Sequence, residues 1–318
     1  MGYPDTFEGF VVDSPKAWNQ FHKSELKPKP FEDNDIDVEI KCCGVCGSDV
    51  HTVTGGWGDF EERQNIKKGD RVGFGAQVWA CLNCDICKEV NENYHPHLVD
   101  TYNAKYGDGS VARGGWADYI RAHEYFTFKI PDAQESHVAA PLLCAGITTY
   151  SPPVRAGVGP GKRVGIIGIG GLGHLAVQWG AGLGAETYAL THSPGKTEDA
   201  KKCGAKDVIV TTEKGFAKKW AYKFDMLLKC SDAMHKMDIP EYMSMLKVGG
   251  EFHMVGIPDH PLPEMAAMAF TANAPKLSGS HLGNNQGMNA MLKLAAEKGI
   301  KPMVETLDLS EAGCKKAV

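Results

Sequence analysis

The sequence predicts an α/β protein in two parts, an all-β first half followed by a doubly wound, parallel, six-stranded sheet. Three observations carry this. The first 140 residues break into short apolar runs punctuated by Pro, Gly and Asp, the pattern of strands and tight turns. From Lys162 onward, six strand-like runs alternate with helical patterns, as the βα units of a parallel sheet do. The first of those six ends in Gly168-x-Gly170-x-x-Gly173, a spacing with a definite backbone meaning. With 318 residues the chain has room for two domains of ordinary size, roughly 100 to 200 residues each.

In chain order, "FEGFVV", "DIDVEIKCC", "DRVGFGAQV" and "WADYIRAH" read as strands of the first half. A helix is expected to start near Cys144, and "SPPVRAGVGPGK" (Ser151 to Lys162) reads as the linker behind it. The strands of the second half are "KRVGIIG", "ETYALTH", "KDVIVT", "FDMLLKC", "GEFHMVGI" and "PKLSGSHLG". A last helix, Asn284 to Lys298, should stop at Gly299, since glycine readily takes the left-handed conformation that ends a helix. The expected domains are 1–145, 146–283, and a return toward the first domain over 284–318.

Composition excludes several classes. Hydrophobic content of 43% with 23% charged residues is that of a packed globular protein. A net charge of −5 gives no basic surplus to neutralise phosphates, so a nucleic-acid partner is not expected. No apolar run approaches the roughly 18 residues of a membrane span, and no basic-then-apolar leader opens the chain, so no membrane partner and a cytoplasmic location are expected.

Ten cysteines in a reducing compartment point to metal or catalysis rather than disulfides. Six of them fall in two clusters, at Cys42, Cys43 and Cys46, and at Cys81, Cys84 and Cys87; Cys203, Cys230 and Cys314 are isolated and read as small buried apolar residues. In "CLNCDICKEVNENYHPH", three thiols with two residues between neighbours can wrap one tetrahedral zinc, with His95 or His97 closing it. A site closed in this way is structural.

The loop Gly168, Gly170, Gly171, Leu172 and Gly173 lies between a buried strand and an amphipathic helix. There the glycines allow a tight turn, backbone approach to a pyrophosphate at the helix N-terminus, and close helix-on-strand packing. About 20 residues further on, an NAD site carries Asp or Glu for the ribose 2′-hydroxyl. This chain has Thr191, His192, Ser193 and Lys196 instead. Hydroxyls and a cation suit a 2′-phosphate that a carboxylate would repel, so the expected cofactor is NADP(H).

Together, "CGVCGSDVH", the cysteine lobe, "PLLCAGITTY" and "GIGGLG" resemble the zinc-dependent medium-chain alcohol dehydrogenases, in their NADP-dependent, cinnamyl alcohol dehydrogenase-like branch. The resemblance implies a GroES-like β-barrel domain holding a catalytic zinc and a Rossmann domain holding the cofactor. By motif, Cys46 and Cys144 would be thiolate ligands of that Zn2+, while Ser48 and His51 would relay the proton. Thr148 would touch the nicotinamide, and Val255, Gly256 and Ser280 would complete the cofactor site. Trp57 would line a pocket for primary alcohols and aldehydes, aromatic or medium-chain. Cys81, Cys84, Cys87 and His95 would hold the structural zinc, with His95 where the family has a fourth cysteine. A homodimer through the sheet edge near Ser278 to Gly283 is implied as well.

The chain departs from the family pattern after Gly58. No Gly-His-Glu occurs anywhere, and "DFEERQNI" leads straight into "KKGDRVG". About twenty family residues are missing there, enough for two strands of five or six residues, so an internal deletion is expected near 59–66. The family strand that would follow "EAGCKKAV" is also absent, read as a C-terminal truncation. Catalytic zinc needs three protein ligands and an open position, whereas the motifs supply two thiolates. The second reading is therefore an NADPH-binding protein with impaired or no catalysis.

Overall fold

The computed structural model describes residues 6–45, 69–234, 237–258 and 260–318. The chain forms two compact units. The first comprises Met1–Cys144, Asn284–Ala296 and Val304–Val318, and the second Ala145–Gly283 with Glu297–Met303.

Ten short strands of the first unit are described: β1 (Phe7–Val11), β2 (His22–Leu26), β3 (Asp35–Glu39), β4 (Val72–Phe74), β5 (Gln77–Trp79), β6 (Val99–Asp100), β7 (Tyr102–Lys105), β8 (Val111–Arg113), β9 (Tyr119–His123) and β10 (Thr127–Lys129). Among the described residues they pair antiparallel as β1·β2, β3·β9, β4·β10, β5·β6 and β7·β8. Alternation sets the faces: Ile120 and Ala122 of β9 point inward with Val78, Val99, Ala104 and Ala112. Arg121, between them, points out and forks onto Asp37 of the paired strand at 2.8 and 2.9 Å. The predicted run "DRVGFGAQV" is two strands, β4 and β5, interrupted at Gly75 and Ala76.

In the second unit all six predicted strands form, as β11 (Arg163–Ile167), β12 (Glu186–Thr191), β13 (Asp207–Val210), β14 (Phe224–Lys229), β15 (Leu246–Met254) and β16 (Lys276–Gly279). They make one parallel sheet in the order β13-β12-β11-β14-β15-β16. The order reverses between β11 and β14, the switch point where doubly wound sheets bind ligands beyond their strand ends. The strands are buried on both faces. Val164 and Ile166 join Ala176, Val177 and Leu228 on one side, while Ile167 joins Leu190, Leu227 and Phe252 on the other.

The helix expected near Cys144 starts earlier. Ser136–Pro141 is helical, a π turn over Leu142–Gly146 follows, and Ile147–Arg155 continues it. Residues 151–155 are thus helix, not linker. Pro152 and Pro153 each remove a helical hydrogen bond at a cost of about 3 kcal/mol, which is why the pair reads as a breaker. Tertiary packing overrides it: Ile147, Thr149 and Tyr150 are buried, Tyr150 meets Trp179 edge-on at 5.4 Å, and the Trp179 Nε1–H donates to Thr149 Oγ1 at 3.1 Å. Burial of large side chains, at about 1.5 to 3 kcal/mol each, offsets the two lost bonds. The last long helix runs Asn285–Lys298 and ends at Gly299 with φ +66°. No helix among the described residues is long and apolar enough to cross a membrane.

Candidate functional site

Two sites emerge, one in each unit. In the first, Cys81 follows β5, Cys84 precedes the one-turn helix Asp85–Lys88, and Cys87 lies within it; the turn Glu92–Tyr94 then delivers His95. Leu82 and Val90 take φ of +44° and +60°, folding the lobe back on itself. The donor atoms of Cys81, Cys84, Cys87 and His95 all lie within 4.8 Å of one another. His97 is not one of the four, and its N–H donates to His95 Nδ1 at 3.1 Å.

This donor set fits zinc. Tetrahedral Zn–S bonds of about 2.3 Å put sulfurs about 3.8 Å apart, inside the 4.8 Å that bounds these donors. The Cys87 N–H leads the contacts that hold the Cys84 thiol below its ordinary range. Burial, with the Cys84 and Cys81 sulfurs adding to it, pushes Cys87 up to about 12. Three crowded sulfurs cannot all ionise unaided, and a divalent cation is what would let them.

The second site lies at the carboxyl ends of the parallel strands. Gly168 follows β11 with φ +87°, and a Cβ there would stand 2.8 Å from the Ser231 Cβ. A Cβ on Gly173, the first residue of helix Gly173–Gly182, would come within 1.9 Å of the Gly168 carbonyl oxygen. Gly170 and Gly171 have nothing within 4 Å of that position, so their backbone is bare. Leu172 packs against the core behind them. His174 pins the loop, with Nδ1 2.9 Å from the Gly170 carbonyl and Nε2 accepting the Met303 N–H at 3.0 Å. A bare loop feeding a helix N-terminus is what a pyrophosphate requires.

Thr191 ends β12 buried, its hydroxyl accepting the Ser193 N–H at 3.3 Å; Ser193 Oγ in turn accepts the Gly195 N–H at 3.4 Å. His192 is exposed. The Lys196 ammonium donates to the Ile169 carbonyl at 2.7 Å, which brings a cation to the rim of the glycine loop. No carboxylate stands between Thr191 and Thr197. Val255 and Gly256 donate their N–H groups to the Lys229 carbonyl at 3.0 and 3.2 Å. Ser280 Oγ lies 2.8 Å from His253 Nε2, whose Nδ1 is 2.9 Å from Glu251 Oε1.

Cys144 is half-buried in the π turn and ends the first unit, and Thr148 is half-buried on the following helix. Cys46, Ser48, His51 and Trp57 lie outside the described residues, as does the stretch 59–66.

Residues 58–132 match the model of the alcohol dehydrogenase GroES-like domain, and residues 171–297 that of the zinc-binding dehydrogenase. Over its whole length the chain is 42% identical to NADP-dependent alcohol dehydrogenase 6 of Saccharomyces cerevisiae, covering 93% of that protein. The chain belongs to the medium-chain, zinc-binding alcohol dehydrogenase family. It is also 35% identical to NADP-dependent alcohol dehydrogenase C 1 of Mycolicibacterium smegmatis, over 90% of this chain and 86% of that one. Among solved structures it superposes on a cinnamyl alcohol dehydrogenase of Sorghum bicolor with TM-score 0.85 at 29% identity, over 94% of this chain and 90% of the other. A Helicobacter pylori cinnamyl alcohol dehydrogenase, complexed with NADP(H), gives TM-score 0.83 at 26% identity over the same shares. The protein is thus a zinc-binding alcohol dehydrogenase of the cinnamyl alcohol dehydrogenase-like branch, with a GroES-like domain and a Rossmann domain.

Two features of this dehydrogenase escaped the sequence reading. Glu92, 1% exposed, accepts the Asn285 N–H at 2.5 Å and so caps the last long helix from 193 residues away. Lys229 is fully buried at the end of β14. A lysine closing the apolar run "FDMLL" was a visible signal for the second; nothing local signals the first.

Proposed function

We propose that this dehydrogenase interconverts primary alcohols and aldehydes, aromatic or medium-chain, using NADP(H). The observation that carries the cofactor choice is the carboxylate-free turn from Thr191 to Lys196, with the Lys196 ammonium held at the glycine loop. The relatives named for NADP dependence support the same choice. In this reading the bare backbone of Gly170 and Gly171 and the helix N-terminus at Gly173 bind the pyrophosphate. Thr191, His192, Ser193 and Lys196 receive the 2′-phosphate, and Val255, Gly256 and Ser280 line the far side.

When bound, zinc supplies Lewis acidity to the substrate oxygen and NADP(H) supplies or accepts the hydride. Cys46 and Cys144 would hold the catalytic metal, Thr148 would orient the nicotinamide, and Ser48 would pass the proton to His51 and on to solvent. Cys81, Cys84, Cys87 and His95 would hold a second, structural zinc. β16 is one of the two edge strands of the sheet among the described residues, and its open edge supports pairing with a second copy through Ser278 to Gly283. The setting is cytoplasmic.

A second reading is NADPH binding with impaired or no catalysis. No Gly-His-Glu exists to supply a third ligand, and the match to the yeast relative spans 338 positions against the 318 residues here, leaving at least 20 without a counterpart. One experiment separates the readings: aldehyde reduction followed by NADPH or NADH consumption, alongside zinc analysis. The lead reading expects about two zinc per chain, turnover of cinnamaldehyde, and a clear preference for NADPH. Equal use of NADH would sink the cofactor assignment, and NADPH binding with one zinc or none and no turnover would favour the second reading.

A further inference from the structure

Lys229 is 1% exposed and, among the described residues, forms no salt bridge; the Asp232 carboxylate, two positions beyond Cys230 in the same turn, acts on it only through space. Its neighbours across the sheet, Ile167 on β11 and Met254 on β15, are apolar. Among the described residues the ammonium donates to its own turn, to the Ser231 carbonyl at 2.6 Å and to the Ser231 hydroxyl. A buried cation with no carboxylate bonded to it is costly, and such groups concentrate at functional sites.

Its location supplies the function. β14 and β11 flank the switch point of the sheet, and Ser231, which Lys229 grips, fills the space that glycine leaves free on two sides. A Cβ at Gly168 would stand 2.8 Å from the Ser231 Cβ, and one at Gly256 would stand 2.4 Å from the Ser231 carbonyl oxygen. The Lys229 carbonyl also receives the Val255 and Gly256 N–H groups. One residue therefore ties together the loops after β11, β14 and β15, which line the crevice where a dinucleotide phosphate would lie.

We propose that Lys229 is a cofactor-positioning residue, a buried cation whose charge is compensated by the anionic dinucleotide and whose grip on Ser231 sets the crevice wall. The inference rests on the NADP(H) reading above. Burial holds the Lys229 ammonium down to about 8, against weaker upward pulls from Cys230 and Asp232, the titratable groups whose charge it feels. Below that pH the amine is charged and favours the anionic ligand. Above it the amine is neutral, and binding must take up a proton, so affinity falls as pH rises.

The test is NADPH titration by fluorescence from pH 7 to 10, on the wild type and on Lys229→Met, with melting temperatures for both. Expected are a wild-type Kd that weakens as pH rises past 8, and a variant Kd weaker by roughly ten-fold or more at pH 7, the scale of one lost charge-assisted interaction. The variant Kd should also be flat with pH, and its melting temperature at pH 7 no lower than wild type, because Met removes the cost of burying the charge. A wild-type profile flat through pH 10 overturns the proposal even if the variant does not fold. So does a variant that binds NADPH as the wild type does, or one whose lost affinity tracks lost stability. Failure of the wild type to bind NADPH at any pH would instead strike the cofactor reading itself.

Discussion

Glu92 shows how one buried side chain can tie distant segments together. Its carboxylate accepts the Asn285 N–H, while Asn285 Nδ2 donates to the Tyr125 carbonyl and Asn284 Nδ2 to the Val90 carbonyl, both at 2.7 Å. Burial pushes its pKa above the ordinary carboxylate range, although the Asn285 N–H and the Tyr125 hydroxyl pull the other way. The folded state therefore holds the proton more tightly than the unfolded chain, so the stability linked to it is complete at acid pH and is lost as pH rises through the raised value. Glu92→Gln keeps an acceptor for Asn285 and removes the ionisation. Its melting temperature should vary less between pH 4.5 and 8, matching or exceeding wild type at the alkaline end by a few degrees, about what 1 kcal/mol produces. Differential scanning at several pH values decides it, and a variant destabilised equally at every pH would refute the linkage. Such a residue could not be read from the sequence, because its partner lies 193 positions away. Cys81, Cys84 and Cys87 could be, because their spacing alone keeps the donors together on one lobe.

The elements divide along the same line between local and distant causes. The six strands of the Rossmann sheet were legible because each is a short apolar run bounded by glycine or a helical pattern, and the pattern repeats. The helix near Cys144 was legible, but residues 151–155 were misread as linker because the two prolines are local and strong, while the contacts that outweigh them, to Trp179, are distant. The glycine loop was legible down to the individual residue, and its glycines can be told apart. Gly173→Ala puts a methyl 1.9 Å from a backbone oxygen, so loop or helix must shift; we expect a loss of roughly 1 to 3 kcal/mol of stability together with weaker NADPH binding. Gly170→Ala meets nothing within 4 Å and takes no strained φ. It should melt with the wild type and yet bind NADPH more weakly, because the new methyl occupies the face offered to the phosphates. Unchanged affinity in Gly170→Ala would mean that this face does not meet the ligand.

At the scale of the whole molecule the two candidate ligand sites fall in different units. Cys81, Cys84, Cys87 and His95 all belong to the first, and the glycine loop with Thr191–Lys196 belongs to the second. The chain enters the second unit after Cys144 and is back in the first at Asn284, where the Glu92 network, built on the same lobe as the zinc donors, receives it. Stability contributed by each ligand should accordingly appear in a separate part of the melt. Chelation of zinc releases crowded thiols and loosens the lobe that anchors Asn284 and Asn285, so it should lower the transition of the first unit. NADPH at a hundred times its Kd should raise that of the second by about 2.7 kcal/mol through mass action alone. Calorimetry of the full chain, with chelator and with NADPH in turn, should show two transitions that move independently. One transition shifted alike by both additions would mean that the units unfold together, and that the lobe and the crevice, built from separate segments, stabilise a single cooperative structure.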